Sequence, residues 1–132
     1  MIRSHWVFAV LALLALAAAA DEEAAGFFTK QGREALDDDR FAEAGEKFKA
    51  ALKECPGYAP ALLGLAEAAV GSEQTPTAIG WLEQCLDRSL SESISAEESE
   101  AVEAAWDLLR KLDRPRYEFR KLTHEYVEQF LA

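Results

Sequence analysis

An all-α fold, a short solenoid of antiparallel helix pairs, is predicted by three features of this sequence. Apolar residues recur at steps of three and four, the spacing of one helical face. Asp, Gly and Pro interrupt them at 37–39, 55–57, 71–76 and 113–115, closing each periodic run as a helix. The pattern also repeats: a step of 34 residues carries Phe28 to Leu62, Gly32 to Ala66, Ala35 to Ala69, Ala44 to Ala78, Phe48 to Leu82 and Ala51 to Cys85. Large residues fall on large and small on small, as expected when one supersecondary unit is used twice.

The chain has 132 residues and one composition throughout, room for a single domain. Residues 1–20 read as a cleaved signal peptide outside it. Arg3 is a positive n-region, 6–16 is an unbroken apolar run, and Ala18-Ala19-Ala20 supplies small residues before Asp21. The run is near the lower limit of about 17–25 residues for a spanning helix, so cleavage is favoured over a retained anchor. No membrane insertion is expected after it. Cleavage removes one charged side chain, Arg3, and moves the formal charge from −10 to −11. Such an acidic chain repels phosphate backbones and anionic lipid, which excludes nucleic acid as the expected partner. The expected location is exported, periplasmic or secreted.

Taken in order, Asp21-Glu22-Glu23 begins a first helix of about 21–36, with Ala25, Phe28, Gly32, Ala35 and Leu36 on one face. Asp37-Asp38-Asp39 reads as a turn and helix cap, not a cation site, because calcium-loop spacing is missing. A second helix of about 39–54 carries Phe41, Ala44, Phe48, Ala51 and Leu52 and stops at Cys55-Pro56-Gly57. The third, about 59–70, is apolar nearly all round except for Glu67, so it is the central helix, buried on more than one side. Thr75-Pro76 opens the fourth as an N-cap followed by Pro, with Ala78, Ile79, Leu82, Cys85 and Leu86 inward. A serine-rich connection, 89–95, ends in Ser95-x-x-Glu98, a capping box. The fifth helix, about 96–112, carries Val102, Ala105, Trp106, Leu109 and Leu112. The sixth, about 115–131, carries Phe119, Leu122, Tyr126, Val127 and Phe130 with charge on its opposite face.

The stretch 28–56 resembles the tetratricopeptide (TPR) repeat, whose period is 34 residues. Phe28, Gly32, Ala44, Phe48 and Pro56 match its pattern, while Gln31 and Ala35 stand where Leu and Tyr are expected. The second copy, Leu62, Leu65, Ala66, Ala69, Ala78 and Leu82, ends in Leu90 instead of Pro. The organisation is then a signal peptide at 1–20, two TPR-like repeats at 21–92, and a serine-rich loop with a C-terminal capping helix pair at 93–132. The resemblance implies a groove on the first helices of the repeats for an extended peptide or a partner helix. Carried over, that groove is Thr29, Arg33 and Leu36 with Leu63, Glu67 and Val70.

Nothing catalytic assembles from the remaining residues. His124 is the one histidine left after residue 20, on a helix rich in aromatics and charges. There is no phosphate loop, nucleophile elbow or metal-spaced His/Cys cluster. No cofactor, no metal and no enzyme activity are expected. Cys55 and Cys85, 30 residues apart, sit near the ends of equivalent second helices, one turn out of step. Either they form a disulfide, which the exported compartment favours, or Cys85 is a small core residue and Cys55 a free thiol. The expected function is a non-catalytic interaction module, an adaptor or assembly factor of the bacterial cell envelope that binds another protein. The alternative is a structural subunit of a larger envelope or secretion complex that docks through its C-terminal helix.

Overall fold

The computed structural model describes residues 2–90 and 94–131. The side chains of Arg3 and Ala18–Ala20, on which the export reading rests, and 91–93 of the serine-rich connection lie outside what is described. Among the described residues six helices follow one another: α1 (Ile2–Asp37), α2 (Phe41–Glu54), α3 (Ala59–Gly71), α4 (Thr75–Arg88), α5 (Ala96–Leu112) and α6 (Arg114–Leu131). The all-α class and the solenoid of helix pairs expected from the sequence are what is found. Each helix packs on the next, and α3 also touches α1 and α5, so the odd-numbered helices form one layer.

The 34-residue step is present in the backbone. In the first hairpin Asp39 has φ 57° and in the second Glu73 has φ 59°. Around them the same bonds recur: the Asp39 amide donates to Leu36 and the Glu73 amide to Val70. The Arg40 amide donates to Ala35 and the Gln74 amide to Ala69, each at 2.8 Å. One tight turn with a left-handed residue is therefore used twice, between α1 and α2 and between α3 and α4.

Two cores share α3. Ala61, Leu65 and Ala68 pack with Ala25, Ala35, Ala44, Phe48 and Ala51 of the first pair. Leu62, Leu63, Ala66 and Ala69 pack with Leu82, Cys85 and Leu86 of α4 and with Ala101, Val102, Ala105 and Leu109 of α5. A helix serving two cores must be apolar nearly all round, and α3 buries nine of its residues. Phe48 is wholly buried between Gly32 and Gly64; a Cβ on Gly32 would sit 2.6 Å from the ring. The small residue at Gly32 thus admits a ring, and α3 makes the same concession with Gly64.

Three expectations need correction. In the full chain helix one does not begin at Asp21: α1 runs unbroken from Ile2, so Asp21, Glu22 and Glu23 lie mid-helix and would stand at an exposed amide end only after the cleavage expected before Asp21. The Asp triplet does not cap α2, whose N-cap is Arg40 with no side-chain bond. Asp39 takes the turn's left-handed conformation, and Asp38 pairs with Arg40 at 2.9 Å. Likewise Thr75 is the first residue of α4 and Gln74 its N-cap. The capping box at α5 is formed, Glu98 donating its amide to Ser95 Oγ and accepting from the Ser95 amide, both at 3.2 Å. Glu98 is 1 % exposed and also accepts from Arg88 Nε at 3.0 Å, tying α4 to α5.

Candidate functional site

The odd-numbered helices leave a groove between them. Gly26, Thr29, Lys30 and Arg33 of α1, Leu63 and Glu67 of α3, and Glu97, Glu100 and Ala104 of α5 line a cavity of about 720 Å³. The chain folds this way locally because α3 presents Leu63 and Glu67 four residues apart, one turn along a single face. Arg33 and Glu67, equivalent positions one repeat apart, form an ion pair across the groove floor. The Arg33 guanidinium also stands 5.8 Å from the centre of the Phe48 ring, which holds its stem against the first core.

At one end Tyr58 closes the groove, its hydroxyl donating to Glu97 at 3.3 Å. Burial first, and then the Glu97 carboxylate, push the Tyr58 phenol up to about 12. A second depression of about 460 Å³ continues past Tyr58 between Glu22 and Glu23 of α1 and Glu97 of α5. With Arg33 and Glu67 neutralising each other, the cation Lys30 faces several carboxylates on the rim. Thr29 is 8 % exposed, and its Oγ1 has no hydrogen-bond partner among the described residues.

Four of the six residues expected from the sequence, Thr29, Arg33, Leu63 and Glu67, thus line one cavity. Leu36 and Val70 lie one turn further along, half-buried against the first and second core respectively. Leu63 is itself 5 % exposed, packed in the second core, and supplies the floor more than a free contact. The sequence reading did not find Lys30, Tyr58, Glu97, Glu100 or Ala104. The last three lie at steps of three and four on α5, a pattern visible in the sequence but without a repeat register to orient it.

The cysteines do not form the candidate disulfide: Cys55 and Cys85 are both free. Cys85 Sγ points between helices, 3.6 Å from the Ala59 carbonyl and 4.0 Å from the Ala101 carbonyl, while Cys55 caps the end of α2. The reason is the register: Cys85 occupies the position of Ala51, not of Cys55, so the two thiols face different neighbours. Burial pushes the Cys85 thiol up to about 12 and raises the Cys55 thiol as well. His124 stacks edge-on against Trp106 and lies 3.1 Å from Glu128. Among the described residues no three His, Cys, Asp or Glu side chains converge as a metal site, and no helix is long and apolar enough to cross a membrane.

Paired helices joined by one repeated turn, with every first helix contributing to a common groove, define a helical-repeat protein. The tetratricopeptide repeat family model matches residues 35–94, from the last turn of α1 to the connection before α5, and this part of the chain is similar to that repeat. Such repeats generally mediate protein–protein interaction and are typically non-catalytic. No curated protein and no solved structure matches the chain.

Proposed function

We propose that this chain is a non-catalytic interaction module whose α1/α3/α5 groove seats an extended peptide or a helix of another protein, and that it serves as an adaptor or assembly factor of a bacterial cell envelope. The observation that carries the first part is the groove: Thr29, Arg33, Leu63 and Glu67 share one cavity of about 720 Å³ with Glu100 and Ala104 of α5. Its walls alternate apolar surface with single charges of both signs. That mixture suits a peptide, which brings backbone amides and varied side chains, better than a small polar metabolite. The envelope assignment is supported by the N-terminal segment, where a positive residue, an apolar run and a small-residue site precede Asp21.

Two experiments test the two parts. Short peptides selected from a display library against the immobilised protein are titrated with wild type, with an Arg33→Glu, Glu100→Lys variant and with Lys49→Glu on α2, away from the groove. The groove variant loses at least tenfold in affinity and Lys49→Glu loses nothing. Equal binding by all three rules the groove out. For the location, the N-terminus of protein recovered from the source cells begins at Asp21 in the envelope fraction; a chain retained from Met1 in the cytoplasm contradicts the export reading.

A further inference from the structure

Helix α6 lies on the bundle with its apolar face turned outward. Its inner side carries Tyr117, Arg120, His124 and Val127, all half-buried. Trp106 of α5 meets Tyr117 and His124 edge-on, with ring centres 5.8 and 5.7 Å away. Arg120 donates to the Glu83 carbonyl at 3.2 Å and pairs with Asp87, and Arg116 pairs with Glu83 at 2.9 Å. These contacts to α4 and α5 fix the roll of the helix. Its outer side carries Phe119, Leu122, Tyr126 and Phe130, which are 73, 68, 62 and 70 % exposed. Steps of three, four and four place them on one stripe, and the Tyr126 and Phe130 rings touch, with centres 4.5 Å apart. The terminal helix of a repeat stack ordinarily closes it with a polar outer face. Here that outer face is apolar.

We propose that the stripe is covered by the same stripe of a second copy of the chain, α6 against α6, antiparallel about a two-fold axis. The spacing is self-complementary: with one helix reversed, Phe119 meets Phe130 of the second copy and Leu122 meets Tyr126 of the second copy. The area is sufficient. Aromatic side chains present about 150–250 Å² each, so three of them and a leucine at these exposures give roughly 500 Å² per copy. The pair buries roughly 1,000 Å², the lower bound for a specific interface.

Sedimentation equilibrium of the full chain tests this, with Leu122→Glu and Tyr126→Lys made separately at these exposed helical positions. Wild type is a dimer at tens of micromolar, each variant weakens association at least tenfold, and an equimolar mixture of the two regains it. The regain is specific to the antiparallel pairing, which brings the introduced carboxylate of one variant onto the introduced ammonium of the other. A wild type that stays monomeric, or a dimer indifferent to both substitutions, overturns the proposal. So does a mixture that fails to reassociate. Monomer that instead co-sediments with phosphatidylethanolamine–phosphatidylglycerol vesicles, and loses this with Leu122→Glu, assigns the stripe to a lipid surface and overturns it as well.

Discussion

Replacing Gly64 by alanine tests the closest approach in the core. Gly64 sits on α3 beneath the Phe48 ring, and a Cβ there would press on Cζ, Cε1 and Cε2 well inside van der Waals contact. Gly32 of α1 confines the same ring from the other side, and Phe48 is wholly buried, so the ring has no free space to move into. Two effects compete. In a helix interior alanine is favoured over glycine by about 1 kcal/mol. A methyl group forced into a filled core costs about 1–3 kcal/mol. With three atoms of a confined ring in the way, the cost lies toward the upper end, and Gly64→Ala is destabilised by about 1–2 kcal/mol. Gly45 in α2 and Gly80 in α4 have nothing within 4 Å of the same Cβ, so alanine there stabilises by up to about 1 kcal/mol. Urea denaturation followed by circular dichroism at 222 nm reads all three; the three substitutions are chemically identical and differ in sign. A Gly64→Ala protein as stable as Gly80→Ala would refute the packing of α2 into the α1/α3 interface.

Further predictions concern buried polar groups. Glu98→Ala removes both the α5 cap and a carboxylate partner of Arg88, whose side chain is 30 % exposed and keeps part of its hydration; the loss is about 2–3 kcal/mol, and a change under about 0.5 kcal/mol would sink the assignment. At pH 8 an alkylating reagent modifies Cys55 in the native protein and Cys85 only after denaturation, counted by intact mass; two unreactive thiols in non-reducing buffer would restore the bridge. Alkaline pH destabilises the fold. Cys85 and Tyr58 have reference values of 9.0 and 10.0 and are both pushed up to about 12 in the fold, chiefly by burial. The unfolded chain therefore loses these protons first, and stability, intact below pH 9, declines between pH 9 and 12. Each group contributes at most about 1.4 kcal/mol per pH unit. Cys85→Ala, the residue its repeat equivalent Ala51 already carries, removes the earlier part of that decline; an unchanged profile would contradict the burial of the thiol.

Much of this architecture is legible in the sequence because packing in a repeat is local. Phe48 and Leu82, or Ala44 and Ala78, answer to the same neighbours one period apart, so matching residue size at a fixed step reveals matching environments. The family match begins at Ala35, and the departures from the pattern, Gln31 and Ala35, lie before it and at its first residue. What was not legible depends on contacts outside that period. The length of the connection before α5 shifts the third pair out of register, which hid Glu97, Glu100 and Ala104 from the groove. The orientation of α6 was hidden for a related reason. Its 3–4 apolar pattern reads as a buried face, yet Arg116 and Arg120 find carboxylates on α4, and Trp106 takes Tyr117 and His124, which turns Phe119 and Phe130 to the outside. For the cysteines, sequence distance alone said nothing about direction; Cys85 follows Ala51 into the core.

The central claim is that a partner lies along the groove of the odd-numbered helices. A photo-crosslinking residue placed at Lys30 or at Ala104, exposed positions on opposite walls of the groove, and as controls at Lys49 and Gly80 on α2 and α4, tests it in native cells. The groove account predicts that positions 30 and 104 capture one and the same protein and that Arg33→Glu, Glu100→Lys abolishes the capture. Capture from positions 49 and 80 with none from 30 and 104 would place the partner on the opposite face and contradict it.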